Sequence, residues 1–314
     1  MTILKEFASG ALANSIASVF LNPCDVVKLR LQCQPHPPSH PSALYKSTFQ
    51  AAAKIAKEEG IFVFTRNSGL WFPGMAPSIL RECLYSSFRF GLYNPLKKIL
   101  VRHDGDLLGK IACGAASGGI GSFLAVPTDR LKIRMQREAG AVCRNSGLYT
   151  TGLSVGSRPS YPTLNSLKGL QIMFKQEGGL LAMWQGWQPT VTRAAVLAAA
   201  QLSSYDHSKH IMKSSFGMKD GLNMHLLASL IAGVTTTLAT QPIDTVKSRV
   251  MVRDPTKGNS WTFVKYEVSR ISREEGVRGF YRGATASYLR FGPHFIIALP
   301  LWEAIRGAMG LGYT

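Results

Sequence analysis

The chain has 314 residues, 46% of them hydrophobic, and a formal net charge of +18 from 36 Lys and Arg against 18 Asp and Glu. The five cysteines, Cys24, Cys33, Cys83, Cys113 and Cys143, are odd in number and contain no CxxC pair, which argues against a disulfide framework or a zinc site. The excess of base raises nucleic-acid binding as a class, but the basic residues are spread along the chain without any recognition motif.

The first predicted element is a helix over Phe7–Cys24, eighteen residues without charge. It runs into "NPCDVVKLRLQ" (22–32), where Pro23 is followed by Asp25 and Lys28. "QPHPPSHPS" (34–42) is too rich in proline for a helix, so His36 and His40 read as loop residues rather than a metal pair. A short charged helix closes at "KEEG" (57–60). "GIFVFTRNSGLW" (60–71) then leads to Gly74 and a second long helix carrying Arg81, Tyr93, Asn94 and Lys97. The next long helix covers Ile111–Thr128 and runs into "VPTDRLKIRMQ". A stretch rich in Gly and Ser (137–161) reads as a lengthened surface loop. "KQEGG" (175–179), Gly186 and a helix with Arg193, Asp206 and Lys209 follow. The last third has an uncharged run over Gly221–Ile243, "QPIDTVKSRVM", "REEG" (273–276), Gly283, and a helix with Arg290, Glu303 and Arg306.

These pieces are three copies of one unit, and such a period governs the fold. Pro23, Asp25 and Lys28 recur as Pro127, Asp129 and Lys132, then as Pro242, Asp244 and Lys247. Each Lys is followed two residues later by Arg30, Arg134 or Arg249. Each of Gly74, Gly186 and Gly283 is followed seven residues later by an arginine. The units are 1–102, 103–217 and 218–314. The three uncharged runs are long enough to cross a ~30 Å hydrocarbon core, and their Gly, Ala, Ser and Thr suit close helix contact. Two spans per unit predict an all-α membrane protein with six transmembrane helices and three short helices on one face. By helical rise Arg81 lies ~10 Å into its span, with Arg193 and Arg290 equivalent. A cation at that depth suits a wet cavity rather than lipid.

The thrice-repeated Pro-x-Asp-x-x-Lys at these spacings resembles the mitochondrial carrier family, over nearly the whole chain. "RAAVLAAAQLSSYDHSK" (193–209) and "RFGPHFIIALPLWE" (290–303) resemble its oxoglutarate, dicarboxylate and oxaloacetate branch, and "LRECLYSSFRFGLYNPLK" (80–97) its uncoupling-protein branch. The resemblance implies six tilted helices about a pseudo-threefold axis, an inner-mitochondrial-membrane location, alternating access and no cofactor. A monomer is expected, although the sequence itself is silent on oligomeric state. Asp25–Lys132, Asp129–Lys247 and Asp244–Lys28 would close the matrix side, with Gln32 and Gln136 as braces and Met251 in the third brace position. Asp206–Arg306 and Glu303–Lys97, with Tyr93 and Tyr205, would form the cytoplasmic network, where Asn94 leaves out a third pair. The family's contact positions fall on Arg81, Arg193, Ala194 and Arg290, which implies a small dicarboxylate or keto acid as substrate. Cardiolipin would bind at Gly74, Gly186 and Gly283, where helix N-termini favour phosphate. His294, one turn after Arg290, faces the same cavity. It is read either as a proton carrier or as a hydrogen-bonded histidine beside Pro293.

Two other classes compete. An enzyme would need a GxGxxG, a GxSxG or a metal-ligand cluster, and none is present; "GAASGGIG" (114–121) is a packing face. An uncoupling protein shares the three arginines and dissipates protons instead of exchanging metabolites.

Overall fold

A computed structural model describes residues 2–35, 40–61, 71–100, 107–143, 145–161, 165–176, 178–216, 222–253 and 259–308. Repeat 1 holds α1 (Thr2–Cys33), α2 (Thr48–Glu59) and α3 (Met75–Leu100). Repeat 2 holds α4 (Leu107–Leu124), α5 (Val126–Glu138), α6 (Ser166–Gln176), α7 (Leu180–Met183) and α8 (Trp187–Phe216). Repeat 3 holds α9 (Leu222–Val252), α10 (Ser260–Glu274), α11 (Gly276–Phe280) and α12 (Ala284–Ala308). The long helices meet in closed order: α1 on α3, α3 on α4, α4 on α8, α8 on α9, α9 on α12, and α12 back on α1. Small residues set the close approaches. A Cβ on Gly114 would lie 3.4 Å from the Ala198 methyl, and one on Gly121 3.1 Å from the Tyr85 carbonyl oxygen.

The prolines act less uniformly than their spacing predicts. α1 and α9 run through Pro23 and Pro242 to Cys33 and Val252, since losing one N–H donor can kink a helix without ending it. Only the second copy breaks. There α4 and α5 meet at 63° around Ala125, whose ψ of −3° departs from the helical value, with Pro127 in the first turn of α5.

The predicted spans meet a second qualification. Among the described residues no single helix is long and apolar enough to cross a membrane by composition, and only the bent pair Leu108–Leu124 with Val126–Glu138 is. In α9, Thr235, Thr237 and Thr240 donate to the carbonyls of Ile231, Gly233 and Thr236 at 3.0, 2.7 and 2.8 Å. Side chains that count as polar are thus satisfied within the helix.

Each short amphipathic helix docks on the part of its own long helix beyond the proline. Ala51 and Ile55 of α2 bury against Val27, Leu31 and Tyr45. Met173 of α6 meets Leu131 and Met135, and Phe263 and Ile271 of α10 meet Val246 and Val250. A fully buried Ile55 contributes roughly 1.5–3 kcal/mol. The ends are also tied by buried charge. Arg30 holds Glu59 with two bonds, 2.5 and 2.7 Å, and also reaches the Ala139 carbonyl at 2.7 Å. Arg249 likewise holds Glu275 at 2.9 and 3.1 Å.

The expected surface loop at 137–161 is in fact a folded segment. Val142 and Tyr149 form an antiparallel bridge. Gly140 and Gly152 pass so close that a Cβ on either would fall within 2.6 Å of a backbone oxygen. Tyr149 and Tyr161 are buried, and Leu153 rests on the α1–α2 core of repeat 1. Residues 62–70, in the other lengthened segment, lie outside the described residues.

Candidate functional site

The helical stretches beyond the three prolines converge, because α1, α5 and α9 contact one another. Asp and Lys three residues apart share a face, so six charges meet there. Lys132 Nζ lies 2.7 Å from Asp25 Oδ2, Lys247 Nζ 2.5 Å from Asp129 Oδ2, and Lys28 Nζ 2.6 Å from Asp244 Oδ2.

The second oxygen of each aspartate is also taken. Arg81 Nε lies 2.6 Å from Asp129 Oδ1 and Arg290 Nη1 2.9 Å from Asp25 Oδ1. Arg193 Nε contacts Asp244 Oδ1. Every aspartate therefore bonds a lysine of the next repeat and an arginine of the preceding one. Sequence reading placed the lysines and the arginines in separate layers, and the structure joins them through the carboxylates. Arg81 holds a further carboxylate, that of Glu82. The aspartates are 6–9% exposed, whereas the arginines rise to 25% at Arg290. The arginines thus form the more accessible layer.

Around the ring the seams differ. Gln136 donates to Asn22 Oδ1 at 3.0 Å. Gln32 donates to Thr245 Oγ1 and to the Arg282 carbonyl, both at 3.3 Å, and accepts from Ser248 at 2.8 Å. Met251 has no such group and is buried among Leu29, Val126 and Ile133. Asn22 and Gln241, the residues before two of the prolines, were missed in sequence. Asn22 donates to the carbonyls of Trp71 and Pro73 at 2.6 and 3.0 Å, and Gln241 to that of Arg282 at 2.5 Å. Their only signal is an amide preceding the proline in copies 1 and 3, where copy 2 has Val126.

Gly74, Gly186 and Gly283 precede α3, α8 and α12 with φ of 66°, 85° and 74°, a region open mainly to glycine. A Cβ at Gly74 would lie 2.8 Å from Gln136 Cγ and 3.0 Å from the Lys132 carbonyl; one at Gly186 would lie 2.8 Å from Met251 Cγ. These glycines let one repeat's second long helix begin against the brace level of the next. A cavity of about 660 Å³ opens beside Gly283, lined by Lys46, Arg278 and Arg282 among others. The Gly186 amide donates instead to Ser260 Oγ at 2.9 Å.

Ala194 is buried beside Gly118. Tyr93 and Lys97 lie on the last turns of α3. Asn94, Tyr205, Asp206, Lys209, His294, Glu303 and Arg306 fall on helices, but their side chains lie outside the described residues. Among the described residues no group of His, Cys, Asp and Glu could hold a metal.

Known proteins resemble the chain over nearly its whole length. The mitochondrial carrier protein family matches residues 1–104, 103–216 and 220–311. A mitochondrial 2-oxoglutarate/malate carrier protein of Caenorhabditis elegans is 31% identical, covering 96% of this chain and 92% of its own. Mitochondrial citrate transporter F of Aspergillus niger is 34% identical over 92% of this chain and 85% of its own. Mitochondrial uncoupling protein 2 of Arabidopsis thaliana is 34% identical over 93% and 89%.

Proposed function

The chain belongs to the mitochondrial carrier protein family, a transporter rather than an enzyme and a multi-pass protein of the mitochondrial inner membrane, and on that footing we propose that it exchanges small carboxylates by alternating access. The substrate class is the dicarboxylate or keto acid, such as oxoglutarate, malate or oxaloacetate. Six tilted spans in three repeats form the barrel, with α2, α6 and α10 on the matrix face.

The observation that carries this reading is the shared carboxylate. Each ring aspartate spends one oxygen on a gate lysine and the other on an arginine of the accessible layer. Among the described residues, Lys28, Lys132, Lys247, Arg81, Arg193 and Arg290 pair with Asp25, Asp129, Asp244 and Glu82, an excess of two positive charges. A dianion balances that excess. Its carboxylates compete with the aspartates for the arginines, whose planar guanidinium suits carboxylate. Taking an arginine away leaves each aspartate on its lysine alone. The matrix ring, braced by Gln32 and Gln136, is then weaker and can open. Substrate binding and gate opening are one exchange of partners, which is what coupled exchange requires.

On the cytoplasmic side Lys97, Asp206, Lys209, Glu303 and Arg306 form the opposing network, flanked by Tyr93 and Tyr205. Cardiolipin supports the matrix face at Gly74, Gly186 and Gly283. The cationic cavity beside Gly283 favours a phosphate there, while at Gly186 a phosphate must first displace Ser260. His294 stands one turn from Arg290 and is the position to test for proton coupling.

The test is uptake of labelled malate or oxoglutarate by the purified chain in liposomes, beside proton flux with and without fatty acid. Exchange that depends on internal carboxylate supports the proposal. Fatty-acid-dependent proton flux without carboxylate exchange would replace it with an uncoupling function.

A further inference from the structure

Arg81 is one of two arginines gathered around a single phenol. The guanidinium carbons of Arg81 and Arg89 lie 5.5 and 5.7 Å from the centroid of the Tyr85 ring. Arg89 Nη1 also donates to the Tyr85 hydroxyl at 3.3 Å. Residues four apart on a helix share a face, so Arg81, Tyr85 and Arg89 climb one side of α3 over about 12 Å. On that side Arg81 reaches the ring carboxylate of Asp129, and Tyr85 meets α4. Tyr85 Oη lies 3.7 Å from where a Gly118 Cβ would stand, as does the Ala194 methyl beside Arg193. Gly121 makes the fit possible, since a Cβ there would come within 3.4 Å of the backbone at both Tyr85 and Arg89.

Arg89 differs from the three ring arginines in one respect. Arg81, Arg193 and Arg290 each hold a carboxylate, whereas among the described residues none pairs with Arg89. Its bond to the Tyr85 oxygen leaves the phenol proton available for an outside acceptor. A cation beside a hydroxyl donor is a carboxylate ligand set. Counting Arg89 raises the positive excess of the cavity from two to three.

We propose that Tyr85 and Arg89 form a second anion station, which holds the third carboxylate of a tricarboxylate trianion while Arg81 and Arg193 hold the other two. Arg89 then determines specificity between trianions and dianions. A dianion fills the lower station and leaves Arg89 on the phenol. A tricarboxylate spans both stations and takes up all three charges. The inference rests on the carboxylate-exchange reading given above and adds to it which carboxylates are admitted.

The experiment uses the full chain in liposomes loaded with malate, with labelled malate and labelled citrate offered outside, for the parent, Arg89→Gln and Arg89→Lys. Loss of one charge-assisted contact corresponds to about a ten- to hundredfold change. Citrate uptake by Arg89→Gln should fall by that factor while malate uptake changes less than about threefold; Arg89→Lys should keep part of the citrate uptake. As a check independent of transport, citrate should raise the thermal unfolding midpoint of the parent more than malate does, and Arg89→Gln should lose that difference. Equal losses for both anions, or citrate uptake unchanged in Arg89→Gln, would overturn the second station. So would a parent that exchanges malate and never citrate, although carboxylate exchange itself would stand. A parent that moves neither anion would overturn both.

Discussion

Neutralising Asp25 separates a structural tie from a working gate. Its Oδ2 lies 2.7 Å from Lys132 and its Oδ1 2.9 Å from Arg290, and its side chain is 6% exposed. Asp25→Asn leaves two cations of different repeats facing each other across a neutral amide. Breaking a buried pair from one side costs about 3–5 kcal/mol. Arg290 is 25% exposed and can turn to water, so the low end applies, about 3 kcal/mol. That corresponds to roughly a hundredfold in the closing equilibrium. Exchange by the reconstituted variant should fall by a similar factor while insertion and helix content are kept. Asp25→Lys should abolish exchange, and adding Lys132→Asp should restore the direct pair. Recovery should be partial, because Arg290 then faces a cation where it had a carboxylate. A correctly inserted double variant with no recovery at all would refute the pairing as a gate, since coupled residues must show an interaction energy in such a cycle.

Three further outcomes follow from the packing. Glu59→Gln strands the fully buried Arg30 and should cost about 3 kcal/mol or more, read as a lower unfolding midpoint with α2 exchanging its amide hydrogens first. Gly74→Ala should cost at least about 1 kcal/mol for its left-handed backbone and more for the approach to Gln136 and Lys132; Gly233→Ala, where nothing lies within 4 Å, should leave the midpoint unchanged or raised. Hydrogen bonds from Ser146 and Asn145 lower the pKa of the Cys143 thiol below its ordinary value, so more of it is thiolate at neutral pH. Iodoacetamide at pH 7.5 should therefore alkylate Cys143 before buried Cys113, as read by mass spectrometry of timed digests.

Much of this arrangement was legible because it repeats. The residues Asp25, Asp129 and Asp244, Lys28, Lys132 and Lys247, and the arginines one per repeat stand out from one spacing seen three times, while the assignment of each Asp to its Lys came from the resemblance to the mitochondrial carrier family. What the period could not carry is the contact between those layers. Spacing along a helix says nothing of how α12 sits against α1, so Arg290 on Asp25 was out of reach. The Arg30–Glu59 bond was half visible, with both residues in recurring motifs and no rule to join them. Departures from the repeat were hardest to read. Asn22 and Gln241 act through side-chain amides at positions where copy 2 has Val126. The segment 137–161 looked like a loop because Gly and Ser dominate it. Two of those glycines, Gly140 and Gly152, are there to let the chain pass close to itself.

If carboxylates take the arginines from the ring aspartates, substrate must loosen the matrix side and do so only through those arginines. Spin labels at Glu58 and Lys168, exposed positions of repeats 1 and 2, can be placed in a cysteine-free chain and their separation measured by double electron–electron resonance. Saturating malate should add a longer-distance population, and the same addition to Arg81→Gln/Arg193→Gln should leave the distribution as it is without substrate. An unchanged distribution in the parent under malate that is shown to bind, or a shift of equal size in the arginine variant, would contradict the exchange of partners at the ring.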